Sequence, residues 1–479
     1  MREINRWRRS AAVITVLALA LAACGEDGDD DGAAEVGDQA DAVEEADDEA
    51  DAEAEADAEA DDEADDEADD GDVAAGEIAT DLGVTDEPCP EPTNDGNGCI
   101  YLGVLSDLTS GPFAPFGTEI VEGQRAFWQR VNEQGGVAGY DVDIDTYTRD
   151  NLYDTQEHST QYRQIEPNIL ALALTLGTPT TEAILPDMDA DDVVGVPASW
   201  WSGWHFPDTD KGLILETGYS YCIESQIGLD WIDAERGEIT SVQVVAYPGD
   251  YGGDYAAGVE AWTDATGVEF LGFVETAPNA VVGTQDAAVG QVLSANADVV
   301  MVATGPGEVA EIVGGAAAQG FTGQFMGSAP TWNPALLDSP AGPALEAQFL
   351  HIGPHELFDG ESEAHQAMRD AVGDGDLPTN DGYTYGWVWS YPLLAALEAA
   401  ADNGDLTRAG LRAVTDGLVV EYEGALPDTT LSDNPNETAN RTAAISEPDA
   451  DAPLGISSIA TNVTGPTADA FEYVERCSG

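Results

Sequence analysis

From Cys99 onward the chain alternates short apolar runs with amphipathic stretches. "CIYLGVLSDLTSG" opens as an apolar strand and ends in a Ser/Thr/Gly loop. From "FGTEIVEGQRAFWQRVNEQGG" onward the positions Ile120, Ala126, Phe127, Val131 and Ala138 lie near a helical spacing, and Gly135-Gly136 predicts the helix stop. "YDVDIDTYTRD" alternates as a second strand, "STQYRQIEPN" is helical, and "ILALALTLG" is a strand buried on both faces. "TEAILPDMDADD" and "VVGVPAS" continue as helix and strand. The order is that of a parallel sheet with helices on both sides.

The pattern then restarts. "CIESQIGLDWIDAERG" is a helix, "SVQVVAYPGDYGG" a strand and "YAAGVEAWTDATG" a helix. "VEFLGFVET", "DVVMVATGPG" and "GQFMGSAPT" add strands, separated by the helices "TQDAAVGQVLSANA" and "VAEIVGGAAAQGF". "YGWVWSYPLLAALEAAADNG" is a long apolar helix with "LTRAGLRAVTDGL" behind it, and "GPTADAFEYVERCSG" reads as a returning strand. The fold class is therefore α/β, with two doubly wound parallel sheets. Open sheets of this kind bind ligands at the carboxyl ends of their strands. That rule singles out the loops "SDLTSGPFAPFG", "GTPTTE", "PASWWSGW", "YPGDYGG", "ATGPGE" and "GSAPTW".

The N-terminal part has a different character. Arg2, Arg6, Arg8 and Arg9 precede an uncharged apolar run, Ala11 to Ala23. The run is shorter than the ~20 residues that span a bilayer and reads as an export signal. Leu21-Ala22-Ala23-Cys24 resembles the bacterial lipobox, which implies cleavage before Cys24 and acylation of its thiol. Residues 1–23 are then the signal peptide. From Gly25 to Glu87 there are 31 acids and no base. With like charges at i and i+4 and no apolar stripe, residues 24–87 predict a disordered, self-repelling tether of roughly 45 Å or more.

The 479-residue chain carries 93 acids and 15 bases, a net charge of −78. Lys211 is the one lysine. Nucleic acid is excluded as a partner, because phosphate is bound through Lys and Arg. Such acidity fits a salty exterior, where ions screen self-repulsion, or an acidic one. Besides Cys24 there are Cys89, Cys99, Cys222 and Cys477, which allow three pairings in an exported protein. Proximity favours Cys89–Cys99, and elimination then leaves Cys222–Cys477. No C-x-x-C, phosphate-loop or nucleophile-elbow motif occurs, and Gly353-Pro354 separates His351 from His355. No cofactor, metal or catalytic residue is expected, and the protein is not read as an enzyme.

"GVLSDLTSGPFAPFG", "NEQGGVAG", Asp150-Asn151, "LTLGTPTTEAILP", "VVGVPAS", "YPGDYGGDYAAGVE" and "GFTGQFMGS" follow one another over roughly residues 98 to 418. The ordered series resembles the leucine/isoleucine/valine-binding-protein family, type I periplasmic binding proteins of ATP-driven importers. The resemblance implies two lobes, 88–218 plus 356–419 and 219–355 plus 420–479, joined by three hinge crossings. Cys222 and Cys477 would then share a lobe. It implies a lipid-anchored monomer on the outer face of the cell membrane. It would capture a small carboxylate-bearing solute, such as an amino acid, amide or aromatic acid, and deliver it to an ABC permease and its ATPase. A tethered sensor that signals to a membrane receptor is the alternative.

The resemblance also nominates a site. Thr180, Thr181 and Ser199 with Trp200 match the positions that hold a ligand carboxylate. Phe116 matches an aromatic wall and Tyr251 a tyrosine from the second lobe. Thr304, within Thr304-Gly305-Pro306, replaces a second-lobe aromatic. Trp200, Trp201, Trp204 and Trp332 suit a bulky apolar or aromatic ligand. No acid follows "FMG", where the amino-acid binders pair an ammonium. The ligand then lacks an amino group, or Glu308 or another acid supplies the partner. Each threonine also has a plain reading as a helix cap.

Overall fold

The computed structural model describes residues 78–478 apart from residue 433. Cys24, the export signal and nearly all of the acidic run lie outside the described residues. Among the described residues no helix is long and apolar enough to cross a membrane.

The first sheet is built from β1 (Gly98–Ser106), β2 (Tyr140–Asp150), β3 (Ala171–Leu176) and β4 (Gly195–Ala198), parallel and in the order β2-β1-β3-β4. A two-residue strand, Val84–Thr85, pairs antiparallel with the start of β1. Helices α1 (Ala114–Glu133), α2 (Thr155–Ile165) and α3 (Thr178–Ala190) make the crossovers. β3 is buried at every residue, as its unbroken apolar run predicts.

The second sheet repeats the winding. After α4 (Tyr221–Glu235) come β5 (Ser241–Ala246), α5 (Asp250–Thr266), β6 (Glu269–Glu275), α6 (Asp286–Ala295), β7 (Val299–Ala303), α7 (Pro306–Ala318), β8 (Gln324–Gly327) and β9 (Phe349–Gly353). The parallel order is β6-β5-β7-β8-β9. Beyond α8 (Gly382–Asp402), β10 (Ala443–Pro448) and β11 (Ile456–Val463) extend that edge antiparallel. The doubly wound α/β expectation is met in both sheets. The sequence patterns miss β9, β10 and β11. They also predict a strand at residues 465–479, where the chain instead forms a short helix, Pro466–Ala470, followed by irregular backbone. Without strand pairing, that tail is pinned by a disulfide.

Both pairings hold as expected: Cys89–Cys99 (Cα–Cα 4.9 Å) and Cys222–Cys477 (Cα–Cα 6.4 Å). The buried Asp254 carboxylate gathers the tail around the second bridge. It accepts hydrogen bonds from the Ser202 hydroxyl and the Cys222 N–H, and the Cys477 N–H donates to Ser202 Oγ at 2.8 Å.

Helix α8 lies directly on α1. A Cβ on Gly123 would come within 2.0 Å of the Tyr383 carbonyl, and one on Gly386 within 1.9 Å of the Ile120 carbonyl. Only glycine lets the two backbones approach so closely. That approach carries Tyr385 and Trp389 of α8 to the carboxyl end of the first sheet.

Candidate functional site

A narrow cavity lies where the strand ends of both sheets meet. Its volume is about 30 Å³. Phe113 and Phe116 follow β1, Tyr153 follows β2, Gly177 and Thr178 follow β3, and Ser199 and Trp200 follow β4. From the second sheet come Asp250 and Tyr251, after β5, and Pro330, after β8. Tyr221, Trp389, Ile120, Leu176 and Ala198 complete the wall.

Buried polar groups fix the loops. Asp107 accepts from the N–H groups of Gly111 and Phe113, both at 2.9 Å, so the turn after β1 is held by its own carboxylate. Burial pushes that carboxyl's pKa up. Asp150 accepts from the N–H groups of Leu108 and Leu152, tying the β1 loop to the β2 loop. Asn151 Oδ1 accepts from the Tyr153 N–H at 2.8 Å, and Asn151 Nδ2 donates to the Leu176 carbonyl. Leu152 and Tyr153 both take left-handed backbone, φ 53°. This unusual conformation brings the Tyr153 ring against Phe113, centroids 5.0 Å apart.

Gly177, at φ 97°, turns the chain sharply from β3 into α3. Thr178 is the first helical residue. Its hydroxyl lines the cavity and makes no hydrogen bond of good geometry, although it lies toward Asp250. The Thr180 hydroxyl bonds the Gly177 carbonyl at 2.8 Å and also the Leu176 carbonyl. Thr181 Oγ1 lies 2.9 Å from Thr175 Oγ1, which in turn contacts His158 Nε2 at 3.0 Å. The structure thus places Thr180 and Thr181 inside the strand–helix joint and Thr178 on the cavity wall. Burial drops the His158 pKa to about 3, so the imidazole is neutral.

Phe116, Ser199, Trp200 and Tyr251 line the cavity, while Trp201 and Thr304 do not. Ser199 Oγ accepts from Trp204 Nε1 at 2.8 Å, which leaves its own proton free to donate. Trp200 Nε1 is buried and unpartnered. Trp201 faces the other way: its Nε1 donates to the Ser478 carbonyl and the Arg476 guanidinium lies over its ring. Thr304 contributes through its carbonyl, 3.4 Å from the Tyr251 hydroxyl. Trp332 stacks on Phe349, away from the wall. Glu308 is engaged by the Asn279 N–H at 2.7 Å.

The sequence patterns do not single out Phe113, Tyr153, Tyr221, Asp250 or Trp389. Two of these, Phe113 and Asp250, lie in loops that the strand-end rule does flag. Trp389 has no sequence signal, since it sits mid-helix in an apolar run.

Two wound sheets presenting their strand ends to one aromatic cavity make a type I periplasmic binding fold. Residues 100–453 match the family model described as "Periplasmic binding protein", and the chain belongs to that family. No curated protein matches it in sequence. Among solved structures it is similar to a fatty acid ABC transporter substrate-binding protein from Thermomonospora curvata, at 23% identity and TM-score 0.73 over 84% of this chain and 98% of that one. It is also similar to a branched chain amino acid ABC transporter protein from Thermus thermophilus with bound valine, at 16% identity and TM-score 0.65 over 78% and 98% of the two chains. A solute binding protein from Rhodopseudomonas palustris HaA2, in complex with p-hydroxybenzoic acid, gives 18% identity and TM-score 0.63 over 77% and 98%.

Proposed function

We propose that the protein captures a small carboxylate-bearing solute in this cavity and delivers it to an ABC permease. One observation carries the reading: four helices begin at the cavity. Phe113 is the N-cap of α1, and Thr178, Tyr221 and Asp250 are the first residues of α3, α4 and α5. The partial positive ends of α1, α3 and α4 favour an anionic group, the end of α5 being taken by the Asp250 carboxylate itself, and the hydroxyls of Thr178 and Ser199 supply further donors. The similar proteins named with fatty acid, valine and p-hydroxybenzoic acid support a carboxylate joined to an apolar body.

The narrow cavity has no room for such a solute unless the sheets first move apart. The proposed lobes, 88–218 plus 356–419 and 219–355 plus 420–479, would hinge near residues 219, 355 and 420. Closure on the solute then shifts an existing open–closed balance by the solute's greater affinity for the closed form. Acyl chains on Cys24 would anchor the monomer outside the membrane, and residues 25–87 would serve as its leash.

Thermal-shift screening of amino acids, aromatic acids and fatty acids, each beside its amide or alcohol, tests the reading. Stabilisation by one class of acid and not by its uncharged counterpart is expected. Stabilisation only by sugars or metal ions, or by nothing, would overturn it.

A further inference from the structure

The same cavity holds one charged side chain and it is an acid. No Lys, Arg or His is among its lining residues, and Asp250 is the only carboxylate. Among the described residues no salt bridge reaches Asp250. A carboxylate on the solute would therefore share a narrow space with a carboxylate of the protein that has hydroxyl and backbone N–H donors around it but no cationic partner. The solute itself must bring the balancing charge.

The rest of the wall says what form that charge takes. Seven aromatic rings line the cavity. Tyr251 lies 4.7 Å from Tyr221, Tyr221 lies 5.8 Å from Trp200, and Trp200 lies 4.9 Å from Trp389, centroid to centroid. Phe113 and Tyr153 pair at 5.0 Å. Ring faces attract a desolvated cation without needing a hydrogen bond from it. A primary ammonium instead needs three acceptors. Here the acceptors are the Asp250 carboxylate and a few hydroxyls, and Ser199 Oγ already accepts from Trp204. An acid beside a continuous aromatic wall suits an alkylated nitrogen better than a bare one.

We propose that the solute carries an alkylated, quaternary-type ammonium group held by Asp250 and the rings around it. The proposal rests on the solute-binding reading above and names its class: a betaine-like zwitterion, with its carboxylate at the helix N-termini and its cation at Asp250.

The test compares charge at constant shape. Isothermal titration of the intact protein with glycine betaine and carnitine is set against 3,3-dimethylbutanoate, the carbon analogue of the betaine, which keeps the carboxylate and lacks the cation. Glycine, leucine, p-hydroxybenzoate and decanoate complete the panel. We expect a trimethylammonium solute to bind at least tenfold tighter than the carbon analogue. We also expect Asp250→Asn to lower its affinity at least tenfold and to leave or improve binding of the analogue. Because the panel on the unaltered protein already decides the preference, a poorly folded variant does not spare the proposal. Equal or tighter binding of the carbon analogue overturns it. So does binding of leucine, p-hydroxybenzoate or decanoate with none of the trimethylammonium solutes, which leaves the solute-binding reading standing. Binding of no member of the panel overturns the proposal and counts against that reading too.

Discussion

The carboxyl group of Glu224 accepts the N–H of Ala329 at 2.8 Å, across from the strand end where an amino-acid binder would carry its acid. Glu224 also accepts from the Ser328 hydroxyl (2.8 Å) and the Tyr219 hydroxyl (3.0 Å), and it is fully buried. These three donors engage it in joining α4 to the β8 loop.

Burial pushes the Glu224 pKa up to about 8, against the hydrogen bonds that lower it. The folded form therefore keeps a proton that the unfolded chain has lost. This group's contribution to stability is fully present below the ordinary glutamate pKa of ~4.3 and fades as pH rises towards 8, at ~1.4 kcal/mol per pH unit. Asp254 and Asp381, each pushed by burial to about 7, act in the same direction. Urea unfolding between pH 5 and 8 should show Glu224→Gln with a slope shallower by one proton's worth. An unchanged slope would mean that Glu224 is ionised in the fold.

His158 works in the opposite sense. Its pKa is lowered to about 3 by burial, so the folded protein resists a proton that the unfolded chain binds below ~6.5. Stability present above 6.5 should fall by ~1.4 kcal/mol per pH unit as pH drops towards 3. The ring bridges Asn151 and Thr175, both at 3.0 Å, so its protonation loosens the loops that carry Tyr153 and Thr178. Proton-coupled NMR of the His158 ring should find it neutral at pH 5.

Thr178→Val tests the α3 terminus. It keeps shape and removes the unpartnered hydroxyl. Affinity for a carboxylate solute should fall by ~1.5–3 kcal/mol, the value of a hydrogen bond to a charged group. Thr180→Val should instead lower melting temperature with little effect on affinity, because its hydroxyl caps backbone carbonyls. Titration calorimetry beside thermal melts separates the two effects.

Removing the Cys222–Cys477 bridge with a Cys477→Ser and Cys222→Ser pair should cost ~2–5 kcal/mol, since it closes a very long loop in the unfolded chain. The tail also covers Trp201 through Ser478 and Arg476. Denaturant unfolding should therefore be accompanied by a change in tryptophan emission of the folded form.

Much of this architecture is written in the local pattern. The buried β3 run, the glycine stops and the repeated strand–helix alternation give the winding of both sheets, and five of the six loops that the strand-end rule flags line the cavity, while "ATGPGE" does not and the loop that carries Tyr153 is missed. Individual site residues are less legible, because a loop's pattern does not say which side chain faces in. Gly177 starts α3 early, so Thr178 reaches the cavity while Thr180 and Thr181 turn back to the strand. Adjacent Trp200 and Trp201 point to opposite sides, one to the cavity and one to the C-terminal tail. Trp389 reaches the site only because Gly123 and Gly386 let two distant helices touch. β10 and β11 lie far from the wound pattern and pair antiparallel, which no helix–strand alternation announces.

The strand ends of both sheets are proposed to grip one solute together. A crystal structure with the tightest-binding solute from the thermal-shift panel tests it most directly. Density is expected to touch Thr178 and Trp200 on one side and Tyr221, Asp250 and Tyr251 on the other. Solute density outside this cavity, or against one sheet's loops alone with the halves held apart, would contradict it.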